Sequence, residues 1–323
     1  MAKTIRKVKD SSMKMVLGEP ELFVQFLQGF IKEESLQAIL KNITPDDIED
    51  ISDRFLNIFA EQKDGDIVKK INLKGDTPLF VLAITEHESK VNFRASFKML
   101  MYIVLILDAY EQEVNRDKKV TQGKNFKYPP VLPIVFYDGQ DQWTAEKNFI
   151  HRTEMSDIFS KYIPKFEYEL VSLQDHSFED IAKFGNTLSL FLLMDKIRHP
   201  NELEELKNLP AEYAAQLDNL NIPAHLKELL TKVFTALLTK IDVPQEEIES
   251  IVEKMDERSI SEMLTLENYS VRETRKQART EARAEMALQV IKSLLSRGNS
   301  TEDIALILGM SPQEVEGLIF ELA

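Results

Sequence analysis

Three acidic residues on two neighbouring segments are the first candidates for chemistry. Asp66 opens an apolar run, and Glu86 and Glu88 follow the almost wholly apolar stretch Leu79–Thr85. Side chains two residues apart on a strand point the same way, so Glu86 and Glu88 can face one site, which Asp66 can join from a neighbouring strand. Carboxylates at the end of a buried strand are costly unless they are solvated or bind a cation. Oxygen ligands of this kind suit Mg²⁺, which can activate water and stabilise charge on a phosphodiester.

The sequence around these residues predicts the elements that would hold them. Ser11–Leu40 carries apolar residues at helical spacing, and Pro20 suits the first turn of a helix. Extended segments follow at Phe55–Phe59 and at Ile67–Leu73. With Leu79–Thr85, whose apolar run is typical of a strand buried on both faces, they predict a three-strand meander.

A long helix and one more strand complete the predicted core. The helix spans Val91–Glu113, and the strand spans Pro129–Tyr137. The order is therefore helix, three strands, helix, strand. We expect the helix to bury its broad apolar face, which comprises Phe93, Phe97, Leu100, Met101, Val104, Leu105 and Leu107.

The rest of the chain is predicted to be helical. One helix is expected at Phe178–Ile197, and two or three more within Asn201–Lys240. The expected breaks are Pro210, Pro223 and Pro244. The tail predicts helices at Tyr269–Arg297, Thr301–Leu308 and Pro312–Leu322. We expect three regions: a core of residues 1–175, a helical region of residues 176–260 and a tail of residues 261–323.

Composition limits the classes of function. The chain has 323 residues, 43% of them apolar, so it can bury a sizeable core. It has no cysteine, which excludes disulfides, thiolate zinc sites and cysteine nucleophiles. Its net charge of −14 argues against a broad basic surface, although bound cations can offset a carboxylate-rich site. The basic start MAKTIRKVKD leads into no apolar run, and no stretch is long enough to cross a bilayer, so we expect a soluble, cytoplasmic protein.

Several segments resemble the recombination-promoting nuclease family of bacteria, a transposase-like (Rpn-like) branch of the PD-(D/E)XK nuclease superfamily. The most specific likenesses are Glu86-His87-Glu88-Ser89, for the family's Glu-His-Gln-Ser, and Pro130–Gly139 with Trp143 following, for its Pro-Val-x-Pro-Ile-Val-x-Tyr-x-Gly. Further likenesses are Asp10 with Lys14, Asp66–Leu73, Phe93-Arg94 with Tyr102, and Ile304–Ser311. The resemblance covers nearly the whole chain.

The resemblance implies a fold of the α/β (α+β) class. It would comprise a restriction-endonuclease-like αβββαβ core and an all-helical C-terminal region with a helix-turn-helix-like tail. The implied activity is Mg²⁺-dependent endonucleolytic hydrolysis of DNA, linked to recombination or mobile-element DNA. Asp66 and Glu86 would be the metal ligands, with Mn²⁺ or Ca²⁺ as alternative ions. Asp10 would be an auxiliary carboxylate, and Arg94 would contact phosphate or brace the site.

Glu88 departs from the family pattern, which has Gln or Lys at this third motif position. An ionised glutamate cannot donate a hydrogen bond. Glu88 could bind a second cation, act as a general base, or mark a weakened or lost activity, and Lys90 could supply a displaced cation. The alternative to a nuclease is therefore a catalytically inactive protein of this fold that acts as an interaction or oligomerisation module.

Several of these residues also suit ordinary structural roles. Asp10 can be a helix cap, and Arg94 can pair with a nearby acid. His87 points away from the two glutamates if the strand continues. Tyr137 and Trp143 fit the core better than a ligand site.

The helical tail has two interpretations. Its last two predicted helices resemble a helix-turn-helix, whose second helix would read DNA. That helix is acidic, which favours packing or homo-oligomerisation; its charged and polar residues include Gln313, Glu314, Glu316 and Glu321. The preceding helix has basic residues that could touch DNA, but they are interleaved with glutamates.

Overall fold

A five-stranded mixed sheet is the centre of the fold. The computed structural model describes residues 13–52, 66–73, 78–86, 91–115, 120–197, 202, 205, 208–240, 243–253, 290–291, 293–295 and 300–308. The strands are β1 (Ile48–Asp50), β2 (Asp66–Ile71), β3 (Leu79–Glu86), β4 (Val131–Tyr137) and β5 (Glu169–Ser172). They lie side by side in chain order. β2 is antiparallel to both of its neighbours, β1 and β3, whereas β3, β4 and β5 run parallel. β3 is thus central, and Leu79–Ile84 is buried, as predicted.

Helices precede, connect and follow the strands. Residues 13–18 form a helical segment, here called the N-terminal helix. The next helices are α1 (Pro20–Phe30), α2 (Glu34–Leu40), α3 (Ala95–Val114) and α4 (Ser156–Phe159). After β5 come α5 (Phe178–Ala182), α6 (Thr187–Lys196), α7 (Ala211–Asp218), α8 (Ala224–Lys240), α9 (Gln245–Glu253) and α10 (Thr301–Leu308). The chain divides into two compact units, Met1–Thr265 and Leu266–Ala323.

α3 and α1 pack against opposite faces of the sheet. On one face, a buried cluster comprises Val68, Phe80, Leu82 and Ile84 of the strands and Ala95, Met99, Tyr102 and Ile106 of α3. On the other face, the ring of Phe26 in α1 lies 6.0 Å from that of Phe136 in β4. The helices predicted before and after the first strands are present, as are the strands predicted at Ile67–Leu73, Leu79–Thr85 and Pro129–Tyr137.

The buried face of α3 differs from the predicted one. Phe93, just before the helix, and Phe97 and Val104 within it are 53%, 43% and 57% exposed. The helix has apolar residues on more than one side, so its sequence period does not identify the side that meets the sheet. Packing selects the stripe that begins with Ala95, whose small side chain lets the helix approach closely.

Two short strands were not predicted. β1 is Ile48–Asp50, whereas the predicted segment Phe55–Phe59 lies outside the described residues. β5 has only four residues, Glu169–Ser172. Runs this short show no usable alternation, because pairing with a neighbouring strand is what makes them extended.

Phe178–Ile197 forms two helices instead of the single predicted one. Gly185 has a positive φ of 54°, which favours glycine and ends the first helix. Asn186 then caps α6 by accepting a hydrogen bond from the Ser189 backbone. The predicted breaks are confirmed, since Pro210, Pro223 and Pro244 each directly precede a helix.

In the tail, the helix predicted at Thr301–Leu308 is confirmed. Most of Tyr269–Arg297 and all of Pro312–Leu322 lie outside the described residues. The division into three regions therefore stays a prediction, as does the helix-turn-helix.

Candidate active site

The strand register brings Asp66 and Glu86 to one edge of the sheet. β3 and β4 run parallel and end together, with Glu86 paired to Tyr137. β2 runs the other way and so begins at that edge, where Asp66 is paired with Ile84. Glu86 lies two residues beyond Ile84, and both paired and alternate strand positions share a face. Asp66 and Glu86 therefore lie on the same face of the sheet, the one that α3 covers.

The structure describes only some of the predicted site residues. Asp66 and Glu86 are described by their backbone, whereas Asp10, Glu88 and Lys90 lie outside the described residues. Within the described part of the chain, no three His, Asp or Glu side chains are placed to hold a metal ion. What supports a metal site is thus the register of two oxygen-donor residues, which are the ligand type that Mg²⁺ takes.

Arg94 directly precedes the first turn of α3, the helix that follows β3. Its backbone N–H donates to Oδ1 of Asn92 at 3.0 Å, and its guanidinium carbon lies 6.0 Å from the centre of the Phe97 ring. The residue is exposed. Because a helix N-terminus carries partial positive charge, an exposed guanidinium there favours an anion such as phosphate.

Aromatic side chains pack behind the end of β4. Tyr137 is fully buried, and the Trp143 ring meets it edge-on at 4.9 Å between centroids. Nε1 of Trp143 donates a hydrogen bond to the Tyr168 hydroxyl at 3.0 Å. Burial raises the pKa of Tyr137, so its hydroxyl is neutral at physiological pH. Tyr137 is therefore buried as predicted, whereas Trp143 is half-buried and packs against the core.

Asp138 is an acidic residue of this edge that the sequence patterns did not single out. It directly follows Tyr137, and its side chain is fully buried. Aspartate before glycine is typical of an exposed turn, so nothing in the local sequence indicates burial. A buried carboxylate needs partners to remain ionised, and Asp138 lies one residue beyond Tyr137, the register partner of Glu86.

Lys69 does not replace the lysine that the family pattern places at position 88. It lies three residues after Asp66 on β2, so strand alternation puts it on the opposite face. Its ammonium nitrogen is 2.6 Å from the Gly18 carbonyl oxygen and 2.6 Å from Oδ2 of Asp50. Its hydrogen bonds are therefore directed away from the edge that holds Asp66 and Glu86.

A cleft of about 390 Å³ opens in the connection between β4 and β5, with Trp143 and Leu170 in its wall. Its ionisable side chains pair with one another. Lys147 lies 3.3 Å from Glu167, and Nδ1 of His151 lies 3.3 Å from Glu146. These contacts give the cleft a mixed charge, unlike the acidic edge at Glu86.

Comparison with protein-family models identifies the family of the chain. The model described as "Putative transposase, YhgA-like" matches residues 7–221.

The chain belongs to this family.

The YhgA-like match takes in the whole sheet, Asp66, Glu86 and Arg94, and it ends before α8. It confirms the family resemblance predicted from the sequence. No curated protein and no solved structure matches the chain. In the described part of the chain, no helix combines the length and the apolar character that a membrane span requires.

Proposed function

We propose that this YhgA-like protein is a Mg²⁺-dependent DNA endonuclease. The observation that carries the proposal is the register of β2, β3 and β4, which sets Asp66 and Glu86 on one face at one edge of the sheet. The order of elements agrees with the restriction-endonuclease-like core that the sequence resembles. Membership of a transposase family supports DNA, and mobile-element DNA in particular, as the substrate.

In this proposal Asp66 and Glu86 hold the metal ion, and Glu88 occupies the third motif position in place of the family's glutamine or lysine. When bound, Mg²⁺ lowers the pKa of a water ligand and offsets charge on the phosphate; Mn²⁺ or Ca²⁺ would suit the same oxygen donors. The exposed guanidinium of Arg94 can bind phosphate through two parallel hydrogen bonds. Asp10 would add a carboxylate from the N-terminal segment.

Removing either metal ligand should abolish cleavage. We expect Asp66→Asn and Glu86→Gln to nick supercoiled plasmid at less than about one hundredth of the wild-type rate, because each loses a charge that binds the cation. Nicking is measured across a Mg²⁺ titration, and circular dichroism verifies folding. Lys70→Met is the matched control, since Lys70 shares the strand and face of Asp66 but pairs with Glu49 at 3.5 Å. Equal activity in the wild type and both site variants would refute the proposal.

A second candidate function, protein binding without catalysis, is favoured by exposed apolar side chains in the connection between β4 and β5. These are Met155, Ile158, Phe159 and Tyr162. Groups of large exposed apolar side chains mark interaction surfaces.

Calorimetric titration separates the two functions. If the folded protein binds neither Mg²⁺ nor Mn²⁺ at millimolar concentration, it lacks the metal site. Protein binding would then be the supported function.

A further inference from the structure

Lys69 is a fully buried lysine that joins three segments of the chain. Its ammonium nitrogen lies 2.6 Å from the Gly18 carbonyl oxygen, 2.6 Å from Oδ2 of Asp50 and 5.8 Å from the centre of the Phe23 ring. Lysine is almost never fully buried unless it is paired. Its position therefore depends on these partners and not on filling space.

The hydrogen bond to Gly18 closes the end of the N-terminal helix. That helix stops at Gly18, and α1 begins at Pro20, whose nitrogen has no hydrogen to donate. A helix end has carbonyl groups without intrahelical partners and carries partial negative charge. The ammonium of Lys69 donates a hydrogen bond to one of these carbonyl groups and offsets the partial negative charge. Lys69 on β2 therefore holds the bend between the two helices in place.

Asp50 adds a third attachment, from β1. It is the register partner of Lys69 on the neighbouring strand, and it also accepts a hydrogen bond from the Ser52 backbone at 2.9 Å. Burial raises the pKa of Asp50, but hydrogen bonds from Lys69 and Ser52 outweigh burial and bring it below its usual value. Asp50 is thus a carboxylate at neutral pH, and it neutralises the buried ammonium.

We propose that Lys69 is a positioning residue for the metal site, because it ties the end of the N-terminal helix and strand β1 to the strand that begins with Asp66. The inference rests on the proposed function. Lys69 lies on the face opposite Asp66 and acts by holding β2, the strand that begins with Asp66, in a fixed position. Mutation of groups that hold metal ligands in place typically costs about 10- to 100-fold in metal affinity or activity.

Three variants test this role. Lys69→Met keeps an unbranched stem against Phe23 but removes the ammonium, and Lys69→Arg keeps a charged donor. Lys70→Met is the control, because it removes the adjacent lysine, which pairs with Glu49 on the other face. Hydrogen exchange read by mass spectrometry follows residues 13–18. Calorimetry and plasmid nicking follow the Mg²⁺ requirement and the rate at saturating Mg²⁺.

We expect Lys69→Met to exchange residues 13–18 about tenfold faster or more, with α8 unchanged. It should need about tenfold more Mg²⁺ for half-maximal nicking and should stay within about threefold of the wild-type rate at saturation. Lys69→Arg should recover part of the Mg²⁺ affinity, and Lys70→Met should resemble the wild type. If Lys69→Met does not fold, Asp50→Asn weakens the same attachment from a side chain that is 48% exposed, with the same measurements.

Two results overturn the inference alone. One is unchanged exchange at residues 13–18 in folded Lys69→Met, which shows that the attachment does not hold the helix. The other is faster exchange with an unchanged Mg²⁺ requirement, which shows that Lys69 serves the fold only. A wild-type protein that neither binds Mg²⁺ nor nicks DNA refutes the proposed function instead, and the positioning role falls with it.

Discussion

Glu88 stands two residues beyond Glu86, where the family pattern has glutamine or lysine. A lysine there would donate hydrogen bonds to an attacking water and offset phosphate charge, whereas a carboxylate only accepts. The two lysines nearest to Asp66 on β2 do not substitute for it. Lys69 bonds to Gly18 and Asp50 on the other face, and Lys70 pairs with Glu49. Positive charge at the reacting phosphate would then come from bound cations and from Arg94.

Restoring the family residue should therefore increase cleavage. We expect Glu88→Gln and Glu88→Lys to nick plasmid about tenfold faster than the wild type at fixed Mg²⁺, because each brings back a hydrogen-bond donor. Glu154→Lys, at an exposed position in the connection between β4 and β5, makes the same change in net charge as Glu88→Lys. A similar gain in that control would attribute the effect to overall charge. Slower cleavage in both Glu88 variants would identify Glu88 itself as a ligand or base.

The elements that run through the core were the ones that the sequence could predict. A continuous apolar run predicts β3, and Asp66 and Glu86 were predictable as polar residues at strand ends. The buried side of α3 was not predictable, because the sheet chooses among several apolar stripes. The burial of Asp138 and the bond from Lys69 to Gly18, 51 residues away, were also beyond sequence patterns, since tertiary packing alone brings such groups together.

His176 connects α1 to the segment after β5 and makes this contact sensitive to pH. Its ring meets that of Phe30 edge-on, with the centroids 5.2 Å apart. Burial lowers the pKa of His176 below its usual value. Two lysines lower it further and two aspartates oppose them: Lys32, Lys196, Asp175 and Asp180. In the folded protein the neutral imidazole is therefore favoured.

Mild acid should weaken the fold through this histidine. The unfolded chain takes up the proton first, at about pH 6.5, so the contribution of His176 to the free energy of unfolding is complete above that pH and is lost as the pH falls through the folded pKa. Urea denaturation at about pH 7 and about pH 5 measures the loss. His176→Gln should lose less stability over this interval than the wild type, whereas His225→Gln, at an exposed position, should follow the wild type. Identical losses in all three proteins would contradict the assignment.

The whole molecule is acidic, with 54 Asp and Glu residues against 40 Lys and Arg. Most DNA-binding proteins attract the phosphate backbone through basic surfaces, and added salt weakens their binding. A chain with a net charge of −14 instead repels DNA at long range. In the proposed function, cations bound at the edge that holds Asp66 and Glu86 reverse this repulsion locally. Metal binding and DNA binding should therefore be coupled.

This coupling predicts that Mg²⁺ strengthens DNA binding, which is the reverse of its usual effect. We expect the affinity for a cleavage-resistant phosphorothioate duplex, measured by fluorescence anisotropy, to rise about tenfold or more when Mg²⁺ replaces EDTA at constant ionic strength. Mg²⁺ weakens purely electrostatic binding to a basic surface, because it competes for the phosphates. The double variant Asp66→Asn with Glu86→Gln should show no rise. Weaker binding of the wild type in Mg²⁺ would rule out a metal-bridged complex.

Trp143 is the only tryptophan of the chain, and it packs on Tyr137, the register partner of Glu86. Excitation at the long-wavelength end of protein absorption therefore excites this one indole, which lies beside the edge where β3 and β4 end. In the proposed function, a cation or a phosphate bound next to Glu86 would change the electric field at the indole and shift its emission. Intrinsic fluorescence thus provides an optical titration of the candidate site in the unmodified protein, without any attached label.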